Sequence, residues 1–349
     1  MRNILHRENL KVLYILAIIA FGLFMLFFIN NLLLSSVLAF VIFYLLAPVI
    51  NYFERKGFNR GLAIFTIYTL NTITVVIAFW IFIPLLIEQF YLLEKELPSL
   101  QEGVLNLVAK VENRLGYFSQ LESLNLRDKL GQWMIAQTTL FSTWIPYWVG
   151  NSLTTLFLTP FLAFFMLRDG SRAKRTILDL IPNRFFEVSL RLVYEMNEQV
   201  GSFIRARIAE ALIVGLVTWI GLLIIGFPYA ILLALFAALT NLIPYLGPVL
   251  GTVPALVIIL VNPNLLFESM GMSFLAVGIV YLTAQLLDAL IIIPVVVAKI
   301  VNLHPVTVIL VIILGAQVLG VLGMIISIPV ASLAKLFVTT LYQQTARTP

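Results

Sequence analysis

The sequence predicts an all-α, polytopic transmembrane bundle of about eight spans, with a proline- and glycine-broken sixth helix and amphipathic helices outside the bilayer. Three observations predict it. Of 349 residues, 61% are hydrophobic and 11% charged, more apolar surface than one soluble domain of that length buries. The apolar residues come in long continuous runs, so helices must cross the hydrocarbon and not barrel strands, which alternate. Basic residues sit in short blocks between those runs, as membrane orientation requires.

A hydrocarbon core about 30 Å thick takes roughly 20 helical residues, and spans are drawn at 11–29, 32–50, 62–87, 145–167, 208–227, 229–261, 271–298 and 306–341. The first follows Arg2, Arg7 and Lys11 and lacks a small-residue cleavage site, so it reads as a retained helix and not a signal peptide. Arg55, Lys56 and Arg60, and the basic residues from Arg168 to Arg207, fall on the same side as the N-terminus. That side is expected to be the cytoplasm, with both termini on it. The net charge of +5 is thereby explained by topology, and nucleic-acid binding is not expected.

The chain divides into spans one to three (1–87), an extracytoplasmic segment (88–140), span four (141–167), a cytoplasmic segment (168–207) and spans five to eight (208–341). Val104, Leu107, Val108, Val111 and Leu115 put an apolar stripe on a helix in the first segment, which reads as a soluble cap. In the second, Phe185, Val188, Leu192, Met196, Val200 and Phe203 form a stronger stripe, with Glu187 and Arg191 expected to pair on the other face. This helix is expected to run straight into the fifth span. Without cysteine there is no disulfide, thiolate site or cysteine nucleophile. His6 and His304 are solitary, and no nucleophile signature, phosphate-cradling loop or ligand cluster stands out. No enzyme activity, cofactor or metal is expected.

The run 229–261 would measure about 50 Å as one helix against a core of about 30 Å. It is expected to break at Thr240-Asn-Leu-Ile-Pro-Tyr-Leu-Gly-Pro-Val-Leu-Gly-Thr-Val-Pro254, where each proline removes a donor and frees a carbonyl. Irregular backbone at membrane depth is tolerated where it is buried in protein or lines a wet cavity, so Pro244, Gly247 and Pro248, with Thr240, Asn241 and Tyr245 beside them, make a candidate binding site. The plainer reading is a kink with close packing along Gly247, Gly251 and Ala255; a further alternative is a re-entrant hairpin that never crosses, which by parity would put the C-terminus outside.

Asp288 is the acid well inside an apolar run, with Tyr281 and Gln285 on its helical face. It must pair across helices, bind a cation or take up a proton; the alternative is that it hydrogen-bonds the exposed amides of the broken segment. Pro294 frees the carbonyl of Leu290 one turn away, adding an oxygen that a hard cation such as sodium would favour. Glu210, at the mouth of the fifth span, and Glu268, in a short loop, are expected to be solvated. Gly320, Gly323, Ser327 and Ala331 read as a helix-packing series.

Asn241-Leu-Ile-Pro-Tyr-Leu-Gly-Pro248, Gln285-Leu-Leu-Asp288, Pro294, His304-Pro305 and the glycine-rich tail through Pro329 resemble the autoinducer-2 exporter family. Arg168-Asp-Gly170 and Phe203-Ile-Arg205 are similar to weaker signatures of that family, whose common pattern has a glutamate where this chain has Asp288. The resemblance implies an eight-span inner-membrane transporter, homo-oligomeric, either exporting a small furanose-derived signal or exchanging sodium or lithium for protons. The expected partners are therefore the lipid bilayer, a small solute or sodium and protons, and further copies of the chain. A reading from another class is a membrane scaffold or regulator that transports nothing, motivated by the two amphipathic segments.

Overall fold

The computed structural model describes residues 31–115, 126–179, 181, 186–244, 246–262, 265–290 and 303–345, with five helical positions between 17 and 25. Eight helices are found among them, and no strand: α1 (Leu32–Arg55), α2 (Arg60–Leu115), α3 (Leu126–Asp179), α4 (Phe186–Ile224), α5 (Ala230–Asn241), α6 (Gly247–Val261), α7 (Met270–Leu287) and α8 (Pro305–Thr345). Five segments, Leu32–Arg55, Arg60–Lys110, Phe186–Ile224, Met270–Leu290 and Pro305–Thr340, have the length and apolarity to cross a bilayer. Trp80, Phe157, Ile224 and Val318 stand exposed, an arrangement that water would penalise and lipid accepts.

α1 stops where Gly57 takes φ +93°. Its left-handed turn lets Phe58 N–H donate to the Phe53 carbonyl at 3.2 Å, closing the helix end. Asn59 then starts α2, its Oδ1 accepting from Gly61 N–H at 2.9 Å. With 56 residues, α2 is about 84 Å long, so the third span passes without a break into the segment expected to cap the protein. α4 likewise runs unbroken from Phe186 to Ile224, with Leu192 and Phe203 of its apolar stripe buried. The expected Glu187–Arg191 pair is not formed. Arg191 instead meets Glu195 at 2.7 Å, while Glu187 lies in the first turn, where the helix dipole already favours a carboxylate.

The chain forms two compact units, one from 1–74, 149–206 and 299–349, the other from 75–148 and 207–298. In the first, Ile50, Ala63, Ile64 and Leu167 form a core with Phe43, Phe53 and Phe164 around it. Pro48 cannot donate to the carbonyl of Tyr44, and Arg205 reaches that carbonyl at 3.5 Å. Tyr68 donates to the Pro160 carbonyl at 2.7 Å and Gln199 to Ser332 at 2.6 Å. In the second unit α2, α4, α5, α6 and α7 bury Leu100, Leu222, Leu233, Ile259, Val277 and Tyr281 together. Gln89 and Glu96 of α2 hold the start of α5, accepting from Leu232 N–H at 3.1 Å and from the Tyr229 hydroxyl at 2.6 Å.

Two apolar runs fold back on themselves. The run 229–261, drawn as one broken span, is interrupted over 242–246 as its prolines require, and its halves lie antiparallel. A Cβ added at Gly251 of α6 would stand 3.1 Å from the Ala237 Cα of α5, although fourteen residues of straight helix would part them by about 21 Å. The run 306–341, drawn as a single span, also reverses. Gly320 has φ 62° and ψ −139°, a conformation that strains any residue with a Cβ. Beyond it Gly323 and Ser327 close against Gly315, where a Cβ would lie 2.9 Å from that of Ser327. The small-residue series thus packs, but within one hairpin.

Candidate functional site

Four polar side chains meet inside the apolar second unit. Arg207 and Glu210 lie three residues apart on α4 and so share a face. Their ion pair is short, 2.6 Å from Arg207 Nη1 to Glu210 Oε1. Asn241, the last residue of α5, donates to the same oxygen through a long contact of 3.5 Å. Asp288 closes α7, where the helix widens into a π-type turn over 288–290, a local unwinding that recurs at functional sites. Its carboxyl is within hydrogen-bonding reach of that of Glu210, and the Arg207 guanidinium acts on both.

Glycines allow the approach. A Cβ at Gly215 of α4 would stand 2.8 Å from the Ala238 Cβ of α5, and one at Gly221 2.6 Å from the Val280 Cγ1 of α7. The pairings Gly215 with Ala238 and Glu210 with Asn241 make α4 and α5 antiparallel. Gly221 with Val280 and Glu210 with Asp288 do the same for α4 and α7. The cluster therefore lies about 17–27 Å along the helices from the end of the unit that carries Ile224, Ala230 and Met270, a depth within the hydrocarbon core.

Burial is nearly complete, with Glu210 2% exposed and Asn241 and Asp288 3% each. Glu210 was expected to be solvated, and the structure corrects this. The cytoplasmic helix does run straight into the fifth span, as expected; what buries Glu210 is the cover that α5 and α7 place over this turn of α4. Arg207, read as the last basic residue of the cytoplasmic helical segment, is buried with it. The signal for both was present as an arginine and a glutamate at i, i+3 at the head of an apolar run. Among the described residues, two buried carboxyls meet one guanidinium, and burying an ion costs several kcal/mol unless it is matched. The Glu210 Oε2 and Asp288 Oδ1 atoms find no hydrogen-bond partner among the described residues.

The other sequence candidates are placed around this cluster. Pro244 and Gly247 are buried in the break and Pro248 is half-buried, its carbonyl accepting from Thr252 Oγ1 at 2.8 Å. Thr240 is half-buried and donates to carbonyls of its own helix, Phe236 at 2.8 Å and Ala237 at 3.1 Å. Gln285 is half-buried one turn before Asp288. Tyr245 and Pro294 lie outside the described residues. Tyr281, two turns before Asp288, is buried, and its hydroxyl finds no partner among the described residues. No cluster of three or more metal-ligating side chains occurs among the described residues.

An acid pair and its arginine, packed against a helix broken at membrane depth, is an arrangement of transport proteins, and the sequence relatives point the same way. YueF of Bacillus subtilis (strain 168) is 28% identical over 364 residues, spanning 97% of this chain and 93% of that protein, and YrrI of the same strain is 29% identical over 317 residues, spanning 88% and 86%. Both carry provisional transport-protein names. PerM of Escherichia coli (strain K12), provisionally named a permease, is 25% identical over 332 residues, spanning 93% and 92%. The pattern described as the AI-2E family transporter matches residues 16–343, and the chain, a multi-pass membrane protein, belongs to that family.

Proposed function

We propose that the protein is a secondary transporter of a bacterial inner membrane, with both termini cytoplasmic, which moves a small solute outward by alternating access coupled to an ion. The observation that carries this reading is the Arg207–Glu210–Asp288 cluster buried beside the α5–α6 break. A charge kept at membrane depth is expensive unless it is used. The transport site is assigned to Asp288, Gln285, Asn241, Thr240 and Tyr245, with Pro244, Gly247 and Pro248 shaping the turn between α5 and α6. The working unit is assigned to a homo-oligomer.

Export of a hydroxylated organic signal would need several donors and acceptors converging on it. Sodium or lithium exchange for protons is the second reading, and one observation favours it. Thr240 bonds its own helix and Asn241 bonds Glu210, which leaves fewer polar groups for a hydroxylated solute than the sequence offers.

Purified protein in proteoliposomes with an internal pH-reporting dye separates the readings. Sodium-driven proton movement without any organic solute, abolished by Asp288→Asn, is the antiport result. Proton movement that needs an organic solute and not sodium is the export result. A phenotype that survives a rebuilt 244–248 turn while the wild-type protein carries no flux would turn the reading to a scaffold.

A further inference from the structure

We propose that Glu210 and Asp288 hold one exchangeable proton between their carboxyls, with Arg207 as the fixed internal counter-charge, and that this proton and not sodium is the coupling ion. The inference rests on the transport reading above and names its ion. Two ionised carboxylates are both acceptors only, so they make a hydrogen bond to each other only when one carries a proton. The two oxygens without a partner among the described residues, Glu210 Oε2 and Asp288 Oδ1, belong to these facing carboxyls, and one proton supplies the donor they lack. Among the described residues, the same proton cancels the excess negative charge of two carboxylates over one guanidinium.

A sodium ion fits less well. Hard cations take about six oxygens, whereas this cluster offers two carboxyls and an amide with a guanidinium already among them. Among the described residues, the charges acting on the pair are Arg207 and Glu210 from α4 and Asp288 from α7, while α5 contributes the neutral Asn241. Proton release would leave a net negative centre that draws Arg207 in, and reprotonation would loosen it. Such an exchange gives the pair two arrangements for alternating access to act upon.

Charge counting makes the test specific. In detergent-purified protein, infrared difference spectra across a pH step read the carbonyl stretch of a buried carboxylic acid. The wild type should show one such band, Glu210→Gln and Asp288→Asn none, and Arg207→Gln a doubled intensity. Arg207→Lys should keep the single band, and if Arg207→Gln does not fold the two acid variants still decide. Adding sodium chloride at fixed pH should leave the band unchanged. A band lost on sodium addition, or unaltered in both acid variants, overturns the proposal. A band without proteoliposome flux would refute the transport reading and not the proton site; flux without a band would do the reverse.

A different observation carries a second inference. The geometry points to two re-entrant hairpins, α5–α6 and α8, where the sequence suggested two full crossings. α5 and α6 have 12 and 15 residues, about 18 and 22 Å, and each is short of a core of about 30 Å. They are antiparallel, and α7 leaves from the end at which α5 began. The arms of α8 fold back at Gly320; the first, 305–319, is about 22 Å long and sets the depth of the hairpin, and the second runs on antiparallel to it as far as Thr345. Counting from a cytoplasmic N-terminus, the loop 262–269 then faces outward, the segment before α8 inward, and the C-terminus inward. The charges agree: the outward loop 262–269 carries no basic residue.

The absence of cysteine makes the test direct. In intact cells an impermeant maleimide should label Glu268→Cys but not His304→Cys, which should react only after permeabilisation, and a C-terminal reporter should read cytoplasmic. The opposite labelling of the two cysteines means that α5–α6 crosses. A periplasmic C-terminus with the expected labelling means that α8 crosses. Either result overturns the double-hairpin topology.

Discussion

Without its guanidinium, Arg207 would leave two carboxyls facing each other in an apolar surround with no fixed positive charge. Breaking a buried pair by deleting one partner costs about 3–5 kcal/mol, so Arg207→Leu should lower the unfolding midpoint in a mild-detergent denaturant titration by an amount of that order. Adding Glu210→Leu to that variant should recover part of the loss, because replacing both partners with apolar groups removes most of the desolvation cost. Two independent, additive losses would mean that the residues do not act as a pair. The residue scale is also where local reading fell short. Asp288 stood out as an isolated acid, but Arg207 read as the end of the cytoplasmic helical segment and Glu210 as a solvated residue at the mouth of the fifth span. The continuous helix was expected from the stripe that begins at Phe185, and α4 has it; the burial comes from α5 and α7 packing over that turn, a contact no local pattern records.

Helices in this protein are positioned by where a side chain is missing. Gly215, Gly221 and Gly251 admit α5 and α7 to van der Waals distance, and Gly315 and Gly323 admit the two arms of α8 to each other. In lipid no hydrophobic force holds helices together, so close packing carries more of the work. Gly251→Val should therefore open the α5–α6 hairpin and abolish flux while the protein still inserts, and Gly278→Val, where an added Cβ meets nothing within 4 Å, should be tolerated. Flux assays on membranes with matched protein levels check both. Equal activity of the two variants would mean that the hairpin does not depend on close contact. Proline breaks were legible in advance because a missing donor is a local property. The direction in which the chain leaves a break was not, since a kink and a reversal use the same residues.

Across the whole molecule, the exposed apolar surface is the feature that sets its environment. Trp80 is 79% exposed on α2, whereas Trp219 is half-buried against the core of the second unit. Single-tryptophan variants reconstituted in lipids with brominated tails should show strong quenching for Trp80 and weak quenching for Trp219. The reverse order would mean that the Trp80 face is covered by protein. Composition and continuous apolar runs, read along the sequence alone, determined that the chain lives in a bilayer, that it is helical, that it breaks near Pro244 and that Asp288 needs a partner. These follow from hydropathy, from the backbone donors that proline removes and from the cost of a buried charge, all of which act within a few residues. The tertiary structure decided which partner Asp288 meets and that 229–261 and 305–345 turn back. Such contacts join residues tens of positions apart, and glycine-permitted packing selects them where no local pattern records the choice.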